Sequence, residues 1–259
     1  MKRMRIQTLC AGLALISICL SCDEKSLSPS RPSVPDFSLT PMENEEAELA
    51  ALHLSGELIA PICLYRRIKS DLEIIRSNWA DSVEHVNIKF RPYWEPSRIQ
   101  IYVSEPTYDS MIGDDYHYWD SLNDFHSIDT ILFSSVIFPN SSYYSAHLYF
   151  NGRLNSLRLM DIYDGLPGTY AVTFVSHVAI GDRPMLVFYK DRETIKYFFR
   201  FAWGDCPSGC IYSDIYYFTV SKNKALFHGS HLNYPPDSVP PVWYDTFLAA
   251  YFDYFPWDF

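Results

Sequence analysis

The chain has 259 residues, with 21 Lys and Arg against 31 Asp and Glu, a formal net charge of −10. So acidic a chain excludes nucleic acid as a partner, because affinity for nucleic acid rests on neutralising phosphates with Lys and Arg. Aromatic residues make up 17%, with 20 Tyr and 17 Phe against only 10 Gly. That composition excludes disorder over most of the length and favours strands, whose pleated surfaces suit aromatic side chains.

The N-terminus is built as a secretory leader: Lys2, Arg3 and Arg5, then an apolar run from Leu9 to Leu20, then Ser21 and Cys22. The run is shorter than the roughly 20 residues that a membrane-spanning helix needs. The stretch CLSC at 19–22 resembles the lipobox of bacterial lipoprotein signal peptides. The resemblance covers the leader alone and implies that residues 1–21 are removed and that Cys22 carries the lipid. An ordinary signal peptide cut nearby and an uncleaved anchor are the alternatives. Each buried acyl CH₂ contributes about 0.8 kcal/mol, so several chains on one cysteine hold a soluble domain firmly. The partner implied is membrane lipid, reached through the acylated N-terminus. Removal of residues 1–21 takes away Lys2, Arg3 and Arg5 and no acid, so the mature chain would be more acidic still. Residues 22–44 are rich in Ser and Pro and read as a flexible linker. The charged start Asp23-Glu24-Lys25 would act as a sorting signal, for inner-membrane retention in some bacteria and for surface export in others.

Residues 45–259 read as a single globular domain. Leu49, Leu52, Ile59, Ile62, Ile68, Leu72 and Ile75 recur at helical spacing, and Gly56 with Pro61 divides the run into helices over 43–54 and 60–79. Cys63 is expected on the buried face of the second helix as a small core hydrophobe. Strands follow at 85–90, 98–104 and 144–152, and an amphipathic helix at 154–166 is stopped by Pro167-Gly168. Further strands are expected at 169–180, 184–190, 194–203 and 211–220. In the strand at 194–203, Ile195, Tyr197, Phe199, Phe201 and Trp203 share one face, and Lys196, Phe198, Arg200 and Ala202 the other. The expected fold class is α+β: N-terminal helices followed by a mainly antiparallel β-sheet with one short inserted helix. Residues 148–178 look like half of a ferredoxin-like unit. YDGLPGTYAV (163–172) resembles the end of subtilisin propeptide/inhibitor domains, which implies an inhibitor-like role. The aromatic tail LAAYFDYFPWDF is expected to pack back on the domain.

GDCPSGC at 204–210 lies between two alternating runs and reads as a hairpin turn. Cys206 and Cys210 fall at its two ends, where side chains across a hairpin approach closely enough to bond in an oxidising envelope. A disulfide there would clip the loop's shape, below or near the low end of ~2–4 kcal/mol because so few residues are enclosed. C-x-x-x-C departs from the redox motif, and no second cysteine pair completes a zinc site. His228 and His231 in FHGSHLN read as a loop lacking a third ligand. Asp109, Asp114, Asp115 and Asp120 fit no EF-hand spacing. Asp161, Asp164 and Asp182 are not placed together by sequence. No nucleophile-elbow, P-loop, HExxH or dinucleotide fingerprint is present. The reading is therefore no cofactor, no metal and no catalytic residue. It describes a lipid-anchored envelope protein, a binding or assembly module with a protein or glycan partner. A glycan- or peptide-directed hydrolase and an inhibitor-like domain are the alternatives. Trp94, Trp119 and the many tyrosines suit sugar stacking, and the same residues suit a core.

Overall fold

The computed structural model describes residues 40–138, 141–176, 184–204, 212–233 and 239–254. Residues 37–259 form one compact unit, in which Met42 and Asn44, read above as linker, already take part. The expected class holds: helices lead, and the strands form antiparallel sheets. The described residues contain two such sheets of four strands each, where one was expected.

Helices α1 (Glu45–Ser55) and α2 (Ile62–Trp79) pack together at the start. The Asn44 side chain caps α1 by accepting from the Ala47 N–H at 3.0 Å, and Gly56 closes it with φ 65°, a conformation that glycine adopts without strain. The buried stripe of α2 is Tyr65, Ile68, Leu72 and Ile75. Cys63 lies off that stripe and is exposed, so the expectation of a core thiol is corrected.

The strand expected at 85–90 is not one. Val86 and Phe90 are buried, which accounts for the alternating pattern, but their backbone groups bond to side chains instead of a sheet neighbour. Arg76 donates to the Val86 and Ile88 carbonyls at 3.1 Å each, and the Glu46 carboxylate accepts from the Phe90 N–H at 2.8 Å. The Val86 and Ile88 N–H groups bond back to the Val83 and His85 carbonyls at 3.4 and 3.2 Å, so the segment is a turn-containing strap over the core.

Sheet A is built from β1 (Trp94–Val103), β2 (Ile128–Phe138), β3 (Ser141–Phe150) and β4 (Thr169–Ser176), in the order β2-β3-β1-β4. Helices α3 (Glu105–Ile112) and α4 (Asp120–Phe125) connect β1 to β2, and α5 (Ser156–Tyr163) connects β3 to β4. All three neighbouring pairs are antiparallel. This βαββαβ order, with β1 between β3 and β4, is the split-βαβ, ferredoxin-like arrangement, and the expected half unit extends to the whole of 94–176. Ser97, at φ 58°, bulges β1 between Trp94 and Ile99. Its hydroxyl accepts from Leu154 N–H at 2.8 Å and so fixes the start of α5.

Sheet B runs β5 (Met185–Asp191), β6 (Thr194–Trp203), β7 (Tyr212–Ser221) and β8 (Lys224–Leu232) as an antiparallel meander. One face carries Leu186, Phe188, Ile195, Tyr197, Phe199 and Phe218 into the core with α1 and α2. The other carries Met185, Val187, Phe198, Ile215 and Tyr217 against α6 (Tyr244–Tyr254). The tail therefore packs back on the domain as far as Tyr254, in helical form.

Two acidic residues of α1 tie it to α2 and to the sheet A half. Glu46 binds Arg76 of α2 through both oxygens at 2.7 and 2.8 Å. Glu48 binds Arg153, which follows β3, at 2.6 Å. Bidentate and charge-assisted geometry of this kind fixes orientation as well as adding energy.

Candidate binding surface

The two faces of sheet A differ. Ile99, Ile101, Val103, Ala146, Leu148 and Phe150 point to one side, where they meet Leu159 and Tyr163 of α5 with Tyr108 and Leu122 of α3 and α4. The helices of this half all pack there.

The opposite face is laid out by the register. Tyr149 stands between Arg98 and Thr130; His147 between Gln100 and Leu132; Ser145 between Tyr102 and Ser134. Thr173 and Ala171 of β4 extend the second and third rows beside Gln100 and Tyr102. The result is a shallow surface about 14 Å wide across four strands. It presents tyrosine rings, amide, hydroxyl and imidazole groups, with Leu132 and Val136 exposed along one margin. Gln100 donates to the Ser145 hydroxyl at 3.1 Å. Arg98 lies over the Tyr149 ring at 4.7 Å while pairing with Glu95 at 2.6 Å, so its charge is already balanced. Among the described residues, the buried Arg98 Nε and His147 Nδ1 have no hydrogen-bond partner. Burial, together with the Arg98 charge, pushes the His147 imidazole below its ordinary pKa and favours the neutral ring.

A cavity of about 660 Å³ lies elsewhere, where the N-terminus of α1 meets the strap 89–92. Its carboxylates are Glu43, Glu45 and Glu46. Glu43 pairs with Lys69 at 2.9 Å, Glu45 with Arg153 at 3.8 Å and Glu46 with Arg76. General acid–base chemistry needs a carboxyl poised to exchange a proton. Here Glu43 and Glu46 each face a cation, and Glu45 shares Arg153 with Glu48.

The remaining expected positions are scattered. His228 and His231 lie in β8, not in a loop. A bulge between Tyr217 and Phe218 brings both rings to the α6 side, where His228 stacks on Tyr217 and bonds Thr219 while His231 meets Tyr244. Asp109 and Asp115 flank the end of α3, Asp120 pairs with His117 on the surface, and Asp161 pairs with Arg158. Among the described residues no group of three or more His, Cys, Asp and Glu could hold a metal ion. Trp94 and Trp119 are 0% and 1% exposed, so both are core residues and neither can stack a sugar. Cys22, Cys206, Cys210 and Asp182 lie outside the described residues. The polar face itself was legible as strict alternation in RIQIYVS and YSAHLYF. What the alternation lacked was the knowledge that these two strands are neighbours.

No protein-family model, curated protein or solved structure matches the chain.

Proposed function

We propose that the chain is a lipid-anchored protein of the bacterial cell envelope, acylated at Cys22, whose domain is a non-catalytic binding module. Its binding surface is the uncovered face of sheet A, centred on Gln100, Tyr102, His147 and Tyr149. The ligand class that suits this face is a neutral glycan chain: flat rings contact sugar faces, and amide and hydroxyl groups exchange hydrogen bonds with sugar hydroxyls. The observation that carries the reading is a contrast. Among the described residues, the broad face of sheet A that no helix covers is polar and aromatic, whereas the carboxylates of the cavity at the start of α1 are held in ion pairs. Among the described residues no helix is long and apolar enough to cross a membrane, and attachment through a lipid needs none.

Two measurements test the two halves of the proposal. Metabolic labelling with a fatty acid is expected to mark the wild type and not Cys22→Ala; equal labelling of both ends the lipoprotein reading, and free thiols at Cys206 and Cys210 in exported protein count against the compartment. Cosedimentation with a panel of insoluble neutral bacterial polysaccharides is expected to retain the wild type and to lose Tyr102→Ala and Gln100→Ala. Retention of none, or equal retention of the variants, ends the binding reading.

An inhibitor-like domain is favoured by one observation. The turn Leu166-Pro167-Gly168 joins α5 to β4 within the βαββαβ unit, and Gly168, at φ 77°, packs so closely on Thr107 that a Cβ would lie 2.7 Å from its hydroxyl. Titration against a subtilisin-like protease distinguishes the two readings, since only an inhibitor lowers its rate.

A further inference from the structure

Among the described residues β2 is an outer strand of sheet A, hydrogen-bonded to β3 on one side only. After a register shift between Ile128 and Thr130, its pairing with β3 continues without interruption to Phe138. The segment TILFSSVIF (130–138) holds no charge, no Gly and no Pro. Leu132, Phe133 and Val136 are 51%, 38% and 48% exposed. Outer strands are ordinarily protected from pairing by charged side chains, proline, bulges or shortness. The other three outer strands show such protection. β5 has only seven residues and ends in Lys190 and Asp191, β8 carries Gly229 and a register shift against β7, and β4 shifts register against β1 at two places. β2 has Asp129 and its register shift at its start, and from Thr130 to Phe138 it runs without charge or break.

We infer that β2 pairs antiparallel with β2 of a second copy, with the dyad at Ser134, to form one continuous eight-stranded sheet. The second copy follows from two features of the strand. The first is self-complementarity. A dyad at Ser134 sets Ser134 opposite itself and Leu132 opposite Val136 of the other chain, so the exposed apolar pair on the uncovered face is matched twice over, as an isologous interface requires. The second is charge. Two chains of formal charge −10 repel, and an uncharged strand is where they can meet. The only charge on β2 itself is Asp129, five positions from the dyad, so the two copies of it lie ~33 Å apart at opposite ends of the seam. That is about four screening lengths at physiological salt. A partner attracted by opposite charge would gain nothing from such a strand. A dyad normal to the sheet places both uncovered faces on the same side. The inference does not depend on what those faces bind.

Sedimentation of the full-length chain in density-matched detergent tests it. The wild type is expected to be a dimer across the micromolar range. Leu132→Lys and Val136→Lys are each expected to weaken association roughly tenfold or more, because lysine on an outer strand opposes pairing. Leu226→Lys, at an exposed position of β8, leaves the dimer intact. With Cys63→Ser in the background, Ser134→Cys gives a disulfide-linked dimer on oxidation and Thr130→Cys does not. A monomeric wild type, a dimer that survives both lysines, or crosslinking at Thr130→Cys in place of Ser134→Cys would overturn the inference. Circular dichroism separates a lost interface from a lost fold, and the cysteine pair decides the register if either lysine variant unfolds.

Discussion

Sheet B is covered by helices on both faces and sheet A on one, and the sequences of their strands differ accordingly. β5 opens with four buried residues in a row, Met185 to Phe188, and β6 buries Tyr197 to Arg200 without a break. Both sides of those strands face packed layers, α1 and α2 on one and α6 on the other. β1 instead alternates strictly from Ser97 to Val103. The difference separates two jobs within one fold. A strand sequence that runs apolar on both faces is occupied with stability. One that alternates has side chains to spare for contact with something else.

The largest expected effect lies in sheet B. Phe199 is fully buried between Leu186 and Tyr216 in register and meets the Phe218 ring at 5.7 Å. Phe199→Ala should lower the unfolding free energy by about 3–5 kcal/mol in a denaturant titration, because the site has packed neighbours on every side and cannot collapse. A loss below ~1 kcal/mol would mean that sheet B is not the stable half.

A smaller effect is expected where α1 meets both the strap and α6. His53 lies among Phe90 and Tyr254, with ring centroids at 5.5 and 5.6 Å, and burial lowers its pKa to about 4, partly offset by the Asp253 charge. In the unfolded chain the imidazole returns to about 6.5. The unfolded state therefore binds the extra proton as pH falls through this window, so the stability from His53 is complete above about 6.5 and is lost towards 4. The loss is at most ~3.5 kcal/mol by 1.4 kcal/mol per unit. His53→Phe should flatten this acid limb while other carboxylates still titrate. An unchanged slope between pH 7 and 4 would show that His53 titrates normally.

Legibility followed the same division. The helices at 45–55 and 62–79 and the strands β1, β3, β6 and β7 were readable because one period dominates each. The faces of β6 were readable too: Ile195, Tyr197 and Phe199 do share the α1–α2 side, with Phe198 and Arg200 on the α6 side. The segment 85–90 misled because burial with period two does not require a sheet neighbour when an arginine and a glutamate take up the backbone bonds. β2 carried no alternation and β8 was masked by its histidines and glycine. α3 had a usable signal, Ser104 as cap with Pro106 just inside the first turn, which is a strong start for a helix of only eight residues. The uncovered face was half legible. Its side chains are in the sequence, but their assembly from β1, β2, β3 and β4 depends on a strand order that no local pattern carries.

The smallest expected effect on stability is the one that sharpens the comparison most. Tyr102 stands on the uncovered face between Ser145 and Ala171, half-buried by its neighbours and met by no helix of its half. Tyr102→Ala should change the unfolding free energy by only about 0.5 kcal/mol, a tenth or so of the Phe199→Ala loss, since little packed volume is removed. If the face serves binding, the same variant loses retention on glycan while melting with the wild type. A stability loss of ~2 kcal/mol or more would instead show that Tyr102 is core, and the contrast between the two sheets would fail at the centre of the uncovered face.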